Sequence, residues 1–268
     1  MLQSDKAARF AALHRGPKIL VLPNAWDAAS ARVIEQAGFP AVATTSAGIA
    51  ISLGYPDGQR ITRDEMVAAV RRIAAAVEVP VTADIEAGYG ETPEAVAETV
   101  RQVVAAGAVG VNLEDSWERG GHRTLAETAL QEERIRAACS AGGPLVVNAR
   151  TDVFLYRLGE FDDAVRRLNA YLRAGAQCAY PIGVRDPPLI ARLVVAIEGP
   201  VNILAGPGSP STGELERLGV VRASYGSALM RAALGLTRRI AREIAATGTN
   251  SSFPEDTIPS PEANRLFD

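Results

Sequence analysis

The sequence predicts an α/β protein, a TIM-type barrel of eight strand–helix units, (β/α)8, on three observations. Short β-branched runs alternate with Ala-, Arg- and Glu-rich stretches whose apolar residues recur at helical spacing. Four junctions, QAGFPAVATTS, AAGAVGVNLED, RAGAQCAYPIG and RLGVVRASYGS, each read as helix end, glycine and buried strand, the αβ turn of such a unit. The alternation fills most of 268 residues, close to the ~250 typical of the barrel. A doubly wound open sheet is the alternative, but it has fewer strands and a break in the rhythm.

Strands are expected, in order, at Lys18–Leu22, Ala41–Ser46, Val79–Glu86, Gly110–Glu114, Leu145–Asp152, Gln177–Ile182, Val201–Ala205 and Arg222–Tyr225. Helices are expected to begin near Ala28, Arg63, Pro93, Gln131, Phe161, Pro187, Thr212 and Ser227, with Thr62, Thr92 and Asp186 as N-caps. No linker divides residues 1–246, which are read as one catalytic barrel domain. Residues 247–268 leave the pattern and are rich in Pro and Ser, so they are expected to be disordered or draped over a neighbouring subunit.

With 28 Lys+Arg against 31 Asp+Glu and a net charge of -3, the chain has no basic excess to displace phosphate counterions. No nucleic-acid partner is expected. Apolar runs are broken well short of the ~18 residues of a membrane span, and the first residues lack a signal-peptide core. A cytoplasmic protein without a membrane partner is expected. Two cysteines, Cys139 and Cys178, and two histidines, His14 and His122, leave no soft metal site, so any metal must be held by oxygen. His14 lies in an amphipathic N-terminal segment and reads as structural.

In such a barrel chemistry sits at the C-terminal ends of the strands, and there this sequence turns polar. Strand three places Asp84 and Glu86 two apart on one face; strand four places Asn112 and Glu114 together and Asp115 on the opposite face. Strand five brings Asn148, Arg150 and Asp152 into register. Strand two ends in Thr44 and Ser46, strand six in Tyr180, and strand seven carries Asn202. Asp84, Glu86 and Glu114 are expected to converge, and like charges about 4 Å apart repel by roughly 4 kcal/mol at an effective dielectric near 20. Either a hard divalent cation or a barrel arginine, Arg150 first among them, must compensate. With oxygen ligands the cation is Mg²⁺, with Mn²⁺ as a substitute. Asp57, in the GYPDGQ loop, is a candidate fourth member. Beside a metal, the fork of Arg150 makes a two-point clamp for a small 2-oxo or 2-hydroxy acid.

LPNAWDAASARV, TTSAGIAISLGYPDG, VTADIEAGYG, VNLEDS and NARTDVF, in this order and spacing between Asn24 and Leu236, resemble the isocitrate lyase and phosphoenolpyruvate mutase superfamily. The resemblance implies a (β/α)8 barrel whose last helix is exchanged between the subunits of a homo-dimer or homo-tetramer, which would place Ser227–Ala246 at an interface. It implies Mg²⁺-dependent cleavage or formation of a C–C or P–C bond beside a pyruvate-type enolate. By motif position, Asp84 would be the direct metal ligand, with Asp57, Glu86 and Glu114 acting mainly through water. Ser46 and the backbone of Ala47 and Gly48 would bind the substrate's carboxylate or enolate oxygen, Arg150 a second anionic group, and Trp26 would wall the pocket. Tyr180 and Asn202 fall where relatives contact substrate.

The loop after Asp115 departs from the family. Isocitrate and methylisocitrate lyases carry Lys-Lys/Arg-Cys-Gly-His there, the Cys protonating the departing enolate; this chain has Glu118-Arg119-Gly120-Gly121-His122. The Lys- and Asn-containing loop of the mutase branch is missing too. Ser116–Ala129 is thus expected to be a third type of lid, with His122 as its acid or base and Trp117 as an anchor. The activity expected is that of a Mg²⁺-dependent C–C lyase, similar to oxaloacetate decarboxylase or methylisocitrate lyase. A phosphonomutase or phosphonopyruvate hydrolase, or a non-catalytic carboxylate-binding relative, are the alternatives.

Overall fold

A computed structural model describes residues 2–268. Its strands are β1 (Leu20–Leu22), β2 (Asn24–Ala25), β3 (Val42–Thr44), β4 (Val81–Asp84), β5 (Gly110–Glu114), β6 (Ser116–Arg119), β7 (His122–Leu125), β8 (Val146–Thr151), β9 (Cys178–Pro181), β10 (Asn202–Leu204) and β11 (Arg222–Ser224). One sheet runs β2-β3-β4-β5-β8-β9 and another β1-β11-β10, with every neighbour parallel. A bridge between Ala179 and Val201 joins the two sheets at one side. At the other side β1 and β2 are a single extended segment broken at Pro23, which has no N–H to give a ladder. The ring therefore closes, and a closed sheet has no edge to protect.

The helices that wrap it start where the capping residues say. Thr62 accepts from the Glu65 amide at 3.2 Å, Thr92 from Ala95 at 3.2 Å, and Asp186 from Leu189 at 3.0 Å. Each such cap contributes about 1 kcal/mol. At the other ends Gly38, Gly107, Gly175 and Gly219 all take positive φ, 106° at Gly107, as the repeated junction requires. Outside the expected pattern lie α1 (Gln3–Leu13), α3 (Ser46–Ser52), the β6/β7 hairpin, α11 (Ser260–Asn264) and a short 3-10 turn at Arg265–Phe267. Helix α6 (Thr128–Ala141) opens three residues before the expected Gln131. Most strands are one or two residues shorter at their ends than the β-branched runs, because the ladder stops where the chain turns into a loop.

The tail does not float. After α10 (Ala228–Thr247), Glu243 collects Ser251 and Ser252 through their amides at 2.7 and 2.6 Å. The end of the chain returns to α2 (Ala28–Gln36), where Arg32 Nε donates to the Leu266 carbonyl at 2.7 Å and Leu266 is buried. Helix α10 itself is amphipathic, yet among its residues only Met230 is buried, and Leu234 and Ile244 stand about half exposed. Among the described residues no helix is long and apolar enough to cross a membrane.

Helix α1 closes the bottom of the barrel. Phe10 is fully buried against Gly110, where a Cβ would lie 2.6 Å from the ring. His14 sits edge-on to Phe10 at 4.8 Å and donates from Nδ1 to the Phe10 carbonyl at 2.9 Å. Burial, helped by the charge of Arg222, holds its pKa down at about 4. An unfolded histidine titrates at ~6.5, so between these values the unfolded chain binds the extra proton. The stability that neutral His14 contributes is complete above pH ~6.5 and is lost as the pH falls toward 4. Urea unfolding across that window should show a stability loss in the wild type that is smaller in His14→Gln; parallel curves for the two proteins would show that His14 is not the group responsible.

Candidate active site

At the C-terminal end of the barrel the strands open on a cavity of about 210 Å³. Asp57, Asp84, Glu86 and Glu114 line it, as do Ser46, Ala47, Arg150 and Tyr180. The expected acids and their arginine thus share one cavity. Its size, below the ~300–1,000 Å³ of sites for drug-sized molecules, suits a small acid.

Each acid is held differently. Asp84 ends β4; its amide donates to Thr44 Oγ1 at 2.9 Å and its carboxylate accepts from the Ser46 hydroxyl at 2.7 Å and the Ser46 amide at 3.3 Å. Ser46 is not the end of strand two but the first residue of α3, capped by Thr45, which is how its amide comes to face Asp84. Glu86 does not continue β4 either: it has left the strand and takes φ 49°, a left-handed conformation that costs a non-glycine residue about 1 kcal/mol or more. Tyr89, also left-handed, donates from its hydroxyl to Glu86 Oε1 at 3.3 Å. Glu114 ends β5 and meets Arg150 Nη1 at 2.7 Å and Arg123 Nη1 at 3.7 Å. Asp57 lies on the exposed loop at the mouth and accepts from the Gly58 amide at 2.9 Å.

The expectation that Asp84, Glu86 and Glu114 form a ready ligand set needs correction. Among the described residues no three His, Cys, Asp or Glu side chains stand grouped as a metal-binding set. Glu86 has turned away from the strand register, and Glu114 is drawn to Arg150. The charge is nonetheless poorly compensated. Burial, then Asp84 and Asp57, push Glu86 up to about 7. Burial and Asp84 raise Asp57 as well, and burial holds Glu114 well above the usual carboxylate range against the pull of Arg150.

Arg150 is fixed from both sides, its Nε donating to Asp152 Oδ1 at 2.6 Å. Asp115, on the opposite face of β5 as expected, is the pin behind this arrangement. It accepts from Thr151 Oγ1 and the Tyr171 hydroxyl, both at 2.7 Å, and from the Asp152 amide at 3.0 Å.

Four other expected site residues lie elsewhere. Trp26 packs into the core and Gly48 gives its amide to Thr45 Oγ1 at 3.2 Å; neither lines the cavity. Asn202 is fully buried and paired with Ser224 at 3.1 Å, a satisfied polar pair inside the barrel. His122 opens β7 at the tip of the hairpin, exposed and outside the cavity. Neighbours on a strand face opposite ways, and it is Arg123 that turns inward, its guanidinium 4.9 Å from the centre of the Tyr156 ring. Arg123 and Glu114 also line a second hollow beneath the hairpin, so Arg123 stands between the two. Trp117 anchors the hairpin under Arg134, at 5.0 Å. Neither cysteine lines the cavity.

Composition and spacing did not single out Arg123, Tyr156, Arg185 or Arg231, which also line the cavity. Alternation along the hairpin puts either His122 or Arg123 on the inner face and does not say which; Arg231, on the first turn of α10, carries no comparable signal. Removing Arg150 leaves Glu114 and Asp152 buried without their partner, so Arg150→Ala should lower the unfolding free energy by about 3–5 kcal/mol. His122→Ala, an exposed change, should alter it by less than about 0.5 kcal/mol. Urea denaturation of both variants checks this, and equal effects would refute the assigned roles.

The sequence profile of phosphoenolpyruvate phosphomutase matches residues 10–245. The chain is 36% identical over 233 residues, 87% of each protein, to the uncharacterized protein Rv1998c of Mycobacterium tuberculosis. It is 30% identical over 259 residues to 2-methylisocitrate lyase of Escherichia coli K12, covering 92% of this chain and 86% of that one. Among solved structures, a Burkholderia cenocepacia J2315 protein assigned only broadly as a lyase or mutase superposes with TM-score 0.93 at 41% identity, over 100% of this chain and 98% of the other. Phosphonopyruvate hydrolase in complex with oxalate and Mg²⁺ superposes with TM-score 0.86 at 26% identity, over 97% and 94%. With a superposable fold and a family profile that spans nearly all of it, the chain belongs to the phosphoenolpyruvate mutase/isocitrate lyase superfamily.

Proposed function

We propose that this protein is a Mg²⁺-dependent lyase that cleaves a C–C bond of a small 2-oxo or 2-hydroxy acid and leaves a pyruvate-type enolate. The observation that carries the reading is the single cavity in which the undercompensated carboxylates of Glu86, Glu114 and Asp57, together with Asp84, face Arg150. The donors are all hard oxygens, which suits Mg²⁺, and Mn²⁺ in its place. Mg²⁺ keeps several waters rather than asking for an all-protein cage, which fits acids that share a cavity without forming a closed ligand set. Asp84 would hold the ion directly, and Asp57, Glu86 and Glu114 through its waters. A bound divalent cation supplies stabilisation of the negative charge that develops on an enolate oxygen.

The chain's own groups divide the remaining work. Ser46 orients Asp84 through hydroxyl and amide. Arg150 uses one N–H on Asp152 and one on Glu114, so the rest of its fork is pre-aimed to receive a substrate carboxylate at little entropic cost. Burial pushes the Tyr180 hydroxyl up to about 12, so that it remains a donor at neutral pH. The hairpin, tied to the Asp57 loop by Arg60 and Glu118 at 3.2 Å, covers the mouth and restricts water.

A panel of 2-oxo and 2-hydroxy acids assayed with and without a chelator tests the assignment. Turnover should vanish with chelator and return with Mg²⁺ or Mn²⁺, and Asp84→Ala should reduce it by about 10³-fold or more, ~4 kcal/mol of transition-state stabilisation. Full activity in Asp84→Ala would refute the metal role. Turnover of phosphonopyruvate alone would replace C–C by P–C chemistry, and binding without any turnover would leave a carboxylate-binding protein. We further propose that the bare face of α10 is covered by a second copy of the chain, as in a dimer or tetramer; a monomer in light scattering would overturn this.

A further inference from the structure

Asn112 and Asn148, which share the inner face of their strands with Glu114 and Arg150, have as yet no role. Asn112 on β5 pairs in register with Asp84 on β4 and with Asn148 on β8, so the three residues stand side by side in one layer of the barrel. Asn148 Nδ2 donates to Asn112 Oδ1 at 2.9 Å, and Arg222, on β11, donates to the same oxygen from Nη2 at 3.0 Å. Arg222 is fully buried, with its guanidinium 6.0 Å from the centre of the Phe10 ring at the closed end of the barrel. It pairs with no carboxylate among the described residues.

A guanidinium has donors and no acceptor, so the atom of Asn112 that faces it is the oxygen, and that choice makes Asn148 present its NH2 in turn. The arrangement weakens the fold, because Asn148 Oδ1 and Arg222 Nε and Nη1 are left buried without a partner. What it gives in return is a fixed edge. With Oδ1 held by Arg222 and Asn148, the NH2 of Asn112 is the edge left to the cavity that this residue lines, and it has no hydrogen-bond partner among the described residues. Ser46, the donor expected at this place, already has both its hydroxyl and its amide on Asp84.

We propose that Asn112 is a further substrate-binding residue, its Nδ2 donating to the oxygen on which enolate charge collects, and that Arg222 and Asn148 are positioning residues that hold its carboxamide in that orientation. The reacting end of the acid lies at Asp84 and Arg150, as in the reading above on which this inference rests. A donor locked beside Asp84 meets the developing negative charge without reorganising. Being neutral, it adds nothing to repel a cation held by the acids.

Isothermal titration calorimetry of the full chain tests this with two probes, Mg²⁺ alone and, in the presence of Mg²⁺, oxalate, a planar dianion shaped like a pyruvate enolate. Asn112→Asp keeps the side chain's shape and the oxygen that Arg222 and Asn148 hold, but turns a second oxygen to the cavity in place of the NH2. It should weaken oxalate by about tenfold or more, ~1.4 kcal/mol, while Mg²⁺ alone binds more tightly than in the wild type. A merely structural residue would weaken both probes together, and that result, or oxalate weakened by less than about threefold, overturns the donor. Arg222→Gln, which can face Asn112 with either edge of its amide, should weaken oxalate by about fivefold, and Arg222→Lys, a donor only, should stay within about twofold of the wild type. Equal effects of the two overturn the positioning role, and Asn112→Asp carries the test even if Arg222→Gln does not fold. A wild type that binds no oxalate in Mg²⁺ would instead sink the assignment of the reacting end, and the inference with it.

Discussion

Negative charge gathered at the open end of a low-dielectric barrel is the constraint on which the rest of this molecule turns. Closing the sheet aligns the C-terminal ends of the strands, and among the residues there are acids whose burial, with their mutual repulsion, raises Glu86 to about 7 and pushes Asp57 and Glu114 up as well. A fold organised only for stability gains nothing from such a cluster, because apolar residues of similar volume fill the same space at lower cost. The structure tolerates it because the frame around it is rigid. Asp115 ties β5 to β8 and α7 (Phe161–Arg173) from behind, and Asn24 accepts from the Tyr225 and Gly226 amides at 2.7 and 2.9 Å where the ring closes.

Strain and pairing then divide the acids into different roles. Asp84 is held by Ser46 and Thr44, Glu114 by arginine, and Glu86 by a tyrosine hydroxyl on a left-handed turn. Sites that prepare for charge commonly store strain in this way, since the surroundings over-determine a conformation the residue would not choose alone. One carboxylate is left with hydroxyl and amide partners while another is already paired with a cation, so the same residue type can serve two purposes a few ångströms apart.

The fold was legible because its signals are local. Capping residues at Thr62, Thr92 and Asp186, glycines at the helix ends and β-branched runs each act within a few residues, and each appears where the letters place it. The acids of the site were legible for the same reason, as strand ends in a barrel of known polarity. What failed depended on contacts remote in sequence or on backbone that leaves the regular path. Strand alternation puts Glu86 beside Asp84, but the strand stops at Asp84. Ser46 continues a β-branched run in sequence, yet it begins a helix. His122 and Arg123 are adjacent, and only the pairing of β6 with β7 decides which of them looks inward. Asn202 finds Ser224 on the neighbouring strand, a partnership no local pattern announces.

The tip of the hairpin has one more consequence. At Gly120 and Gly121 an added methyl group would meet nothing within 4 Å, while the base of the same ribbon is clamped by Arg134 on Trp117 and by the Ala126 amide on Asp115 at 2.7 Å. The outer turn therefore has room around it, its two glycines being fixed only by their left-handed φ of 57° and 81°, and a change there does not reach the staves beneath it. A ribbon pinned at its foot and open at its crown can alter its reach over the mouth while the barrel below keeps its form.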